Sequence, residues 1–254
     1  MSRMTIVLML LAGGSQQACA LLGRDGPQVE QCVASVSQSL PAKVSDTVRK
    51  ISGTDRQLLA LRSYVRNRGS LDEKWSWSAE RIASYAGSAE YRAVERELAN
   101  ITRQFEKSNA GYTLYVNSQV RSLDAQIGKW NDSESVGTAA KALEKAAVKN
   151  LPRQGCQSVE GRRAFSDFLA KWYPARTPTL AAPGLSKHGQ ARAFDFQVKR
   201  GNEIVAGTDS RSSIASWDKK GWTQKLRAAV NAASSKFSGP LKMPYEPWHY
   251  EYAP

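Results

Sequence analysis

Apolar side chains recur every three or four positions through residues 28–107, which is the spacing of α-helices that bury one face. Two runs show the pattern most clearly: Leu58, Leu59, Leu61, Tyr64 and Val65, and then Tyr91, Val94, Leu98, Ile101 and Phe105. Glycine-containing stretches at 68–70 and 85–88 predict helix ends between the runs. Trp75 and Trp77 lie in the connection, where they could grip a ligand or pack over the edge of a core. We therefore expect a helical N-terminal part.

The pattern changes near residue 110, where alternating residues rich in β-formers predict a strand over 112–116. Ser122 is a good N-cap for the helix that follows, because its hydroxyl can accept a backbone N–H of the first turn. Two more helices are expected over 137–150 and 159–172, and each ends shortly before a proline. Helical structure therefore continues beyond the first strand.

A stretch with three prolines, residues 174–184, leads to the last part of the chain. There the pattern predicts a strand over 193–198, a turn at Gly201-Asn202 and a return strand over 204–206. These two strands can form a hairpin, since only a short turn separates them.

The C-terminal part predicts one long amphipathic helix and a closing strand. The apolar positions of the helix are Trp222, Leu226, Ala229, Val230, Ala233 and Phe237. Gly239-Pro240 breaks this helix, and residues 248–252 are expected to form the closing strand. Because the strands are few and separated by helices, we predict an α+β fold: a small antiparallel sheet flanked by helices, with a helical N-terminal segment.

The first twenty residues have the layout of a secretory signal peptide. Arg3 precedes an apolar run over 4–12, and Ala18-Cys19-Ala20 supplies a cleavage site of the Ala-x-Ala type. The run is far shorter than the roughly 20 residues that span a bilayer, so no transmembrane span is expected in the mature chain. An uncleaved N-terminal helix and lipid anchoring at Cys19 are the alternatives. We expect residues 1–20 to be removed and the mature chain to be periplasmic or secreted.

Cleavage after residue 20 would leave two cysteines, Cys32 and Cys156. An exported chain meets an oxidising compartment, in which such a pair can form a disulfide. The loop that it closes would be long, and the chain-entropy model gives roughly 4–5 kcal/mol of stabilisation. The spacing leaves the pairing open, because the sequence does not define the geometry of the two thiols.

The chain is strongly basic, since 36 Lys and Arg residues against 23 Asp and Glu residues give a formal net charge of +13. Such a surface favours an anionic partner: nucleic acid, anionic lipid or an acidic cell-wall polymer. The basic residues are scattered, and no zinc-knuckle spacing, RNA-binding aromatic signature or Gly-rich phosphate loop accompanies them. We therefore expect no specific nucleic-acid recognition and interpret the charge as a general attraction to an anionic environment.

Both histidines of the chain lie near a carboxylate at a spacing that suits a metal site. His188 precedes Asp195 by seven residues on the loop that leads into the predicted strand, and His249 follows Glu246 by three. Catalytic zinc usually has three ligands from His, Asp or Glu and an open fourth position. His188, Asp195 and His249 supply such a set. The simpler interpretation is that each histidine is an ordinary hydrogen-bonded residue of the surface or core.

The same pattern leaves groups for catalysis. Glu246, held extended by Pro247, is free to act as the general base toward a water that the metal activates. Arg121, on the loop after the first strand, is a candidate donor to the oxyanion of a tetrahedral intermediate. Together these roles indicate a metal-dependent hydrolase.

At these residues the chain resembles the zinc D-alanyl-D-alanine carboxypeptidases and dipeptidases, which include the VanY-type metallopeptidases of the hedgehog/DD-peptidase fold. The first family motif, Ser-x-His-x-x-Gly-x-Ala-x-Asp, is matched by Ser186, His188, Ala193 and Asp195. Its glycine position holds Ala191 instead. The second motif, Glu-x-Trp-His, is matched by Glu246, Trp248 and His249. The third, Ser-x-x-Arg-Ser followed by Gln, is matched by Ser118, Arg121, Ser122 and Gln126.

The resemblance implies a catalytic domain over residues 85–254, preceded by a helical N-terminal segment, residues 21–84, without an assigned role. It implies that Zn²⁺ is bound by His188, Asp195 and His249. It also implies that Glu246 is the catalytic base and that Arg121 stabilises the transition state. Three further motif residues are expected to bind substrate: Ser118, Ser186 and Gln126.

The function that follows is an exported zinc peptidase acting on peptidoglycan stem peptides, foremost a D-alanyl-D-alanine carboxypeptidase. One alternative is an endopeptidase or phage-type lysin on the same fold. Another is a non-catalytic, zinc-containing cell-wall-binding protein, against which the spare carboxylate of Glu246 argues. The sequence leaves open which stem-peptide bond is cut, and the oligomeric state as well.

Overall fold

The computed structural model describes residues 16–254 of the chain, with side chains from residue 26 onward. The described helices are α1 (Gln16–Gln38), α2 (Ala42–Lys50), α3 (Thr54–Arg66), α4 (Leu71–Lys74), α5 (Ala79–Tyr85), α6 (Ala89–Ser108), α7 (Leu123–Asp132), α8 (Glu134–Lys149), α9 (Val159–Lys171) and α10 (Trp222–Ala233). The strands are β1 (Thr113–Val116), β2 (Ala193–Arg200), β3 (Glu203–Ala206), β4 (Phe237–Ser238) and β5 (His249–Tyr252). The predicted α+β class, a small antiparallel sheet flanked by helices, is confirmed.

The predicted signal peptide falls largely outside these residues, because its apolar run over 4–12 precedes the first described position. The side chain of Cys19, the alternative lipid-attachment site, is likewise not described. Within residues 16–254, every helix is too short or too polar to span a bilayer.

Serine hydroxyls cap the N-termini of five of the helices. The five N-caps are Ser78, Ser88, Ser122, Ser133 and Ser158. Each hydroxyl accepts a hydrogen bond from a backbone N–H in the first turn, which satisfies one of the donors that a helix start leaves unpaired. The cap predicted at Ser122 is confirmed, since its hydroxyl accepts from the amide of Ala125 at 3.2 Å.

The sheet is built around β2, which pairs antiparallel with three other strands. One of its edges contacts β1, and the other contacts β5 near the start of β2 and β3 near its end. β4 adds to the outer edge of β5. The pairing of β2 with β5 places Asp195 directly opposite His249. The sheet register therefore brings together two residues that are far apart in the sequence.

The C-terminal end predicted for the last helix is wrong. Helix α10 ends at Ala233 and does not reach Phe237, because Ser234 is extended and Phe237 begins β4 opposite Tyr252. The Phe237 ring packs between the rings of Phe194 and Tyr252, with centroids 5.8 and 5.1 Å away. Helical spacing alone cannot reveal this strand, since its partners lie elsewhere in the chain.

One group of buried residues, which we call the helical core, is formed by α1–α4 together with α7–α9. It therefore draws residues from both sides of the boundary suggested near residue 84. A disulfide joins Cys32 of α1 to Cys156 in the loop before α9. Both cysteines are buried in this core.

The second group, which we call the sheet core, lies between the sheet, α6 and α10. Trp217, Phe194 and Phe196 are among its most deeply buried side chains. Its packing supports the start of β2 and all of β5, the two strands that carry Asp195 and His249.

Residues 73–77 join the two cores. The ring of Trp75 packs on the helical core, 5.6 Å from that of Tyr64, and Trp77 packs on the sheet core, 5.0 Å from Tyr85. Of the two roles considered for this tryptophan pair, the structure shows packing at the edges of the cores. The amides of Ser76 and Trp77 donate to the carbonyls of Gly184 and Gly189, at 2.7 and 2.8 Å.

Candidate metal centre

Three side chains converge at one end of the sheet, at the edge of the sheet core. One imidazole nitrogen each from His188 and His249 and a carboxylate oxygen of Asp195 all lie within 4.8 Å of one another. Histidine nitrogen and carboxylate oxygen are common ligands of divalent transition metals. This group can therefore hold a metal ion.

The local fold explains how the three groups meet. Asp195 and His249 are opposite each other in the pairing of β2 with β5. His188 comes from a short 3-10 turn, Lys187–Gln190, which Ala191 ends in a left-handed conformation, with φ 52°. The amide of Arg192 donates to the carbonyl of Lys187 and closes the turn immediately before β2 begins. The turn and the strand together aim His188 at the carboxylate of Asp195.

The contacts between these side chains are short. Nδ1 of His249 lies 3.1 Å from Oδ1 of Asp195, and Nε2 of His188 lies 3.4 Å from Oδ2. The two imidazole rings have centroids 5.0 Å apart and meet at 80°. Thus each histidine approaches a different oxygen of the same carboxylate.

This arrangement fits the requirements of zinc. Zn²⁺ holds nitrogen and oxygen ligands at about 2.0–2.2 Å, so two ligands of a tetrahedral site lie about 3.4 Å apart. The two histidine–carboxylate separations, 3.1 and 3.4 Å, are close to that spacing, and all three ligand atoms lie within 4.8 Å of one another. Three protein ligands are also the number that leaves a fourth position open for a water or a substrate.

Burial and hydrogen bonding keep His188 and Asp195 in the forms that bind metals. Burial lowers the pKa of His188, although its interaction with Asp195 opposes the shift, and a neutral imidazole is favoured. Burial alone would raise the pKa of Asp195, but the hydrogen bonds of His188 and His249 hold it well below its ordinary value. The carboxylate of Asp195 is therefore ionised.

Glu246 lies beside the three candidate ligands. Its Oε2 is 3.5 Å from Nδ1 of His249, and its side chain is 13% exposed. Burial raises the pKa of Glu246 to about 7; the charge of Asp195 acts in the same direction, while His249 and Arg121 oppose it. A carboxyl group with such a pKa can accept and release a proton near neutral pH, which general acid–base catalysis requires.

Arg121 reaches the same place from the loop between β1 and α7. Its Nη2 lies 3.4 Å from Oδ2 of Asp195, and its backbone amide donates to the carbonyl of His188 at 3.0 Å. About a quarter of the side chain is exposed. The guanidinium is thus close enough to the candidate metal ligands to interact with negative charge that develops there.

A cleft of about 500 Å³ opens over the centre. The candidate ligands, Glu246 and Trp248 line one part of it, and residues 177–181 with Lys129 of α7 form a further wall. The amide of Thr179 donates to the hydroxyl of Ser135 on α8, which attaches the wall at 177–181 to the helical core. The sequence interpretation missed this wall, because no local signal shows where a proline-rich connection will fold.

The three residues expected to bind substrate occupy different places. Ser186 lines the cleft immediately before the turn that carries His188. Ser118 lies on the loop before Arg121 and is not part of the cleft lining. Gln126 borders the cleft, but it is only 5% exposed and its amide group is hydrogen-bonded within the protein. Direct substrate binding by any of the three stays a prediction.

Comparisons of the chain with models of protein families, with curated proteins and with solved structures returned no match. The membership of the zinc D-alanyl-D-alanine carboxypeptidases that the motifs imply therefore stays a prediction. The structure establishes a buried His188, Asp195 and His249 group that can hold a metal ion, beside a glutamate and an arginine, in an open cleft.

Proposed function

We propose that the chain is an exported zinc metallopeptidase that hydrolyses peptidoglycan stem peptides, acting as a D-alanyl-D-alanine carboxypeptidase. One observation carries the proposal: His188, Asp195 and His249 converge in an open cleft with a fourth acidic group, Glu246, directly beside them. A closed structural site does not require that additional carboxylate, whereas a hydrolytic site does.

His188, Asp195 and His249 would hold the ion. When bound, Zn²⁺ acts as a Lewis acid that polarises a carbonyl oxygen and lowers the pKa of a water. The three side chains are held by a strand pair and a closed turn, so little rearrangement is needed to bring them to ligand distance. Such preorganisation keeps metal affinity high and the site geometry constant.

Glu246 would move the protons. Its carboxylate faces the cleft, 3.5 Å from Nδ1 of His249, and can accept the proton of the attacking water. It would then deliver a proton to the departing amine, so that one group acts first as base and then as acid. The loop between β4 and β5 positions it, since the amide of Glu246 donates to the carbonyl of Leu241 and that of Leu241 donates to the carbonyl of His249.

Arg121 would stabilise the oxyanion that forms when the scissile carbonyl is attacked. Its guanidinium is permanently charged and fixed near Asp195, so it needs no reorganisation during the reaction. Loss of a single donor of this kind typically lowers kcat by about 10²–10³.

The proposed substrate and location rest on four features. The chain carries a net charge of +13, which suits the anionic polymers of a cell envelope. Its N-terminus has the pattern of a signal peptide, and Cys32 and Cys156 form a disulfide, which persists in oxidising compartments outside the cytoplasm. The cleft is open enough to accept the end of a peptide.

Mass spectrometry of purified muropeptides tests the proposal. The chain is incubated with them in the presence of zinc, and a parallel sample contains a chelator. Loss of one terminal alanine from pentapeptide stems, prevented by the chelator, is the expected result. Separation of cross-linked stems would instead indicate an endopeptidase. Unchanged muropeptides that nevertheless bind to the chain would favour the non-catalytic wall-binding protein.

A further inference from the structure

Gln126 lies where the helical core, the Arg121 loop and the metal centre meet. It belongs to the first turns of α7 and is 5% exposed. Buried side-chain amides are costly unless their donors and acceptors are paired, so the partners of Gln126 indicate what it does.

The amide group of Gln126 is held by three hydrogen bonds within the protein. Its Nε2 donates to the hydroxyl of Ser76 at 2.9 Å and to the backbone carbonyl of Arg121 at 2.8 Å. Its Oε1 accepts from the amide of Gly184 at 3.0 Å. Both amide protons are therefore used, and any substrate contact through them would break an existing bond.

These bonds connect the two groups on which the proposed chemistry depends. Arg121 accepts from Gln126 through its carbonyl, and its own amide donates to the carbonyl of His188. The chain from Gln126 to the metal-binding turn is thus only two hydrogen bonds long. A shift of the Gln126 amide would move the Arg121 backbone and, with it, the turn of His188.

The residue after His188 packs directly on the same pair. A Cβ placed on Gly189 would lie 2.6 Å from Nε2 of Gln126 and 2.1 Å from Oγ of Ser76. Only glycine allows the turn to approach so closely. Ser76 is itself buried, and its amide donates to the carbonyl of Gly184. The turn is therefore packed directly against Ser76 and Gln126.

We propose that Gln126 is a positioning residue that, together with Ser76, holds the Arg121 loop and the His188 turn in a fixed relation to each other. It acts through Arg121 and His188 and not by contacting substrate. The catalytic consequence rests on the proposed hydrolytic function, whereas the positioning itself does not. Partners of metal ligands commonly change metal affinity about 10–100-fold when they are removed.

Two variants test the role against one control. Gln126→Met keeps the length of the side chain and removes all three hydrogen bonds, whereas Ser76→Ala removes only one. Val44→Ala, in α2, removes buried methyl groups from the helical core without touching the network. The control therefore separates a general loss of stability from a loss of positioning.

Three readouts are compared in the full chain. Hydrogen exchange followed by mass spectrometry reports the amides of Arg121 and Trp77, which donate to the His188 and Gly189 carbonyls. Zinc affinity is measured by competition with a chromophoric chelator. Steady-state kinetics on muropeptides separates kcat from KM.

We expect faster exchange of both amides and an approximately 10–100-fold weaker zinc affinity in Gln126→Met, with a smaller effect in Ser76→Ala and none in Val44→Ala. We also expect kcat to fall about 10-fold or more while KM changes little, because misplaced groups lose rate and not ground-state binding. Exchange and affinity equal to those of Val44→Ala would overturn the proposal. An increased KM with unchanged zinc affinity would also overturn it, since that result indicates direct substrate contact. If the unaltered chain bound no zinc, the proposed function would fail, and the exchange comparison would still decide the positioning.

Discussion

The helical core and the sheet core differ in what they are made of and in what they carry. The helical core is mainly aliphatic, is formed by seven helices and is cross-linked by the disulfide between Cys32 and Cys156. In the sheet core half of the buried residues are aromatic, and it supports the strands that carry Asp195 and His249. Large, rigid rings beneath a small sheet are well suited to hold ligands in one geometry.

Despite this difference, the helical core also contributes to the cleft. One wall of the cleft, residues 177–181, is attached to it through Thr179 and Ser135. The segment 73–77 passes between the cores and hydrogen-bonds the loop that carries His188. The disulfide thus lies in the helical core and the candidate metal ligands lie at the sheet core, and the cleft depends on the contact between the two cores. The following predictions test this division.

Removal of the disulfide should have the largest effect on stability. Its cysteines are 124 residues apart in the sequence, so the double variant Cys32→Ala/Cys156→Ala should lose roughly 4–5 kcal/mol of free energy of unfolding. Chemical denaturation without reductant measures the loss. Zinc affinity of the folded variant should stay within about twofold of the unaltered chain, because both cysteines lie in the helical core and neither lines the cleft. A parallel loss of affinity would contradict the division between the two cores.

One added methyl group at their contact should have an intermediate effect. Gly189→Ala would force the turn away from Ser76 and Gln126, at a cost of about 1–3 kcal/mol, and should weaken zinc binding. The control is Gly128→Ala in α7, where a Cβ has open space and should stabilise by about 0.5–1 kcal/mol. Chemical denaturation measures the stability of both variants, and zinc titration measures their zinc affinity. Unchanged zinc affinity in Gly189→Ala would mean that this contact does not position His188.

The smallest effect is expected at Ala191, the residue in the family's glycine position. Its φ of 52° is left-handed, which costs a residue with a Cβ about 1–2 kcal/mol relative to glycine. Ala191→Gly should relieve this strain and roughly offset the loss of a buried methyl group and the entropy of glycine. Ala193→Gly, at an equally buried position in β2, has no such compensation. The free energy of unfolding of Ala193→Gly, measured by chemical denaturation, should be about 1 kcal/mol lower than that of Ala191→Gly. Equal losses would show that the turn carries no strain.

Local patterns predicted the parts of the fold that local physics controls. The hydroxyl of Ser122 caps α7 as expected, and the alternating residues from Ala193 onward form β2. The end of α10 was beyond such reasoning. Phe237 continues the helical spacing, but its packing on Phe194 and its pairing with Tyr252 favour a strand. Contacts made by distant residues override a local period there.

The same limit applies to the candidate site. His188, Asp195 and His249 could be grouped from the sequence, because few residue types bind zinc and the chain has only two histidines. Their assembly with the wall at 177–181 could not be predicted from the sequence. Nor could the bonding of Gln126, whose partners Ser76 and Gly184 lie 50 and 58 residues away. A sequence motif identifies the reactive groups, but not the buried contacts that hold them.

We propose that the sheet core supports one open metal site in which Glu246 performs the proton transfers. The most direct measurement compares zinc content and muropeptide hydrolysis in Glu246→Gln and His188→Ala. We expect Glu246→Gln to retain one equivalent of zinc while the rate of hydrolysis falls by about 10²–10⁴. We expect His188→Ala to lose both zinc binding and hydrolysis. Full activity in Glu246→Gln, or undiminished zinc binding in His188→Ala, would contradict it.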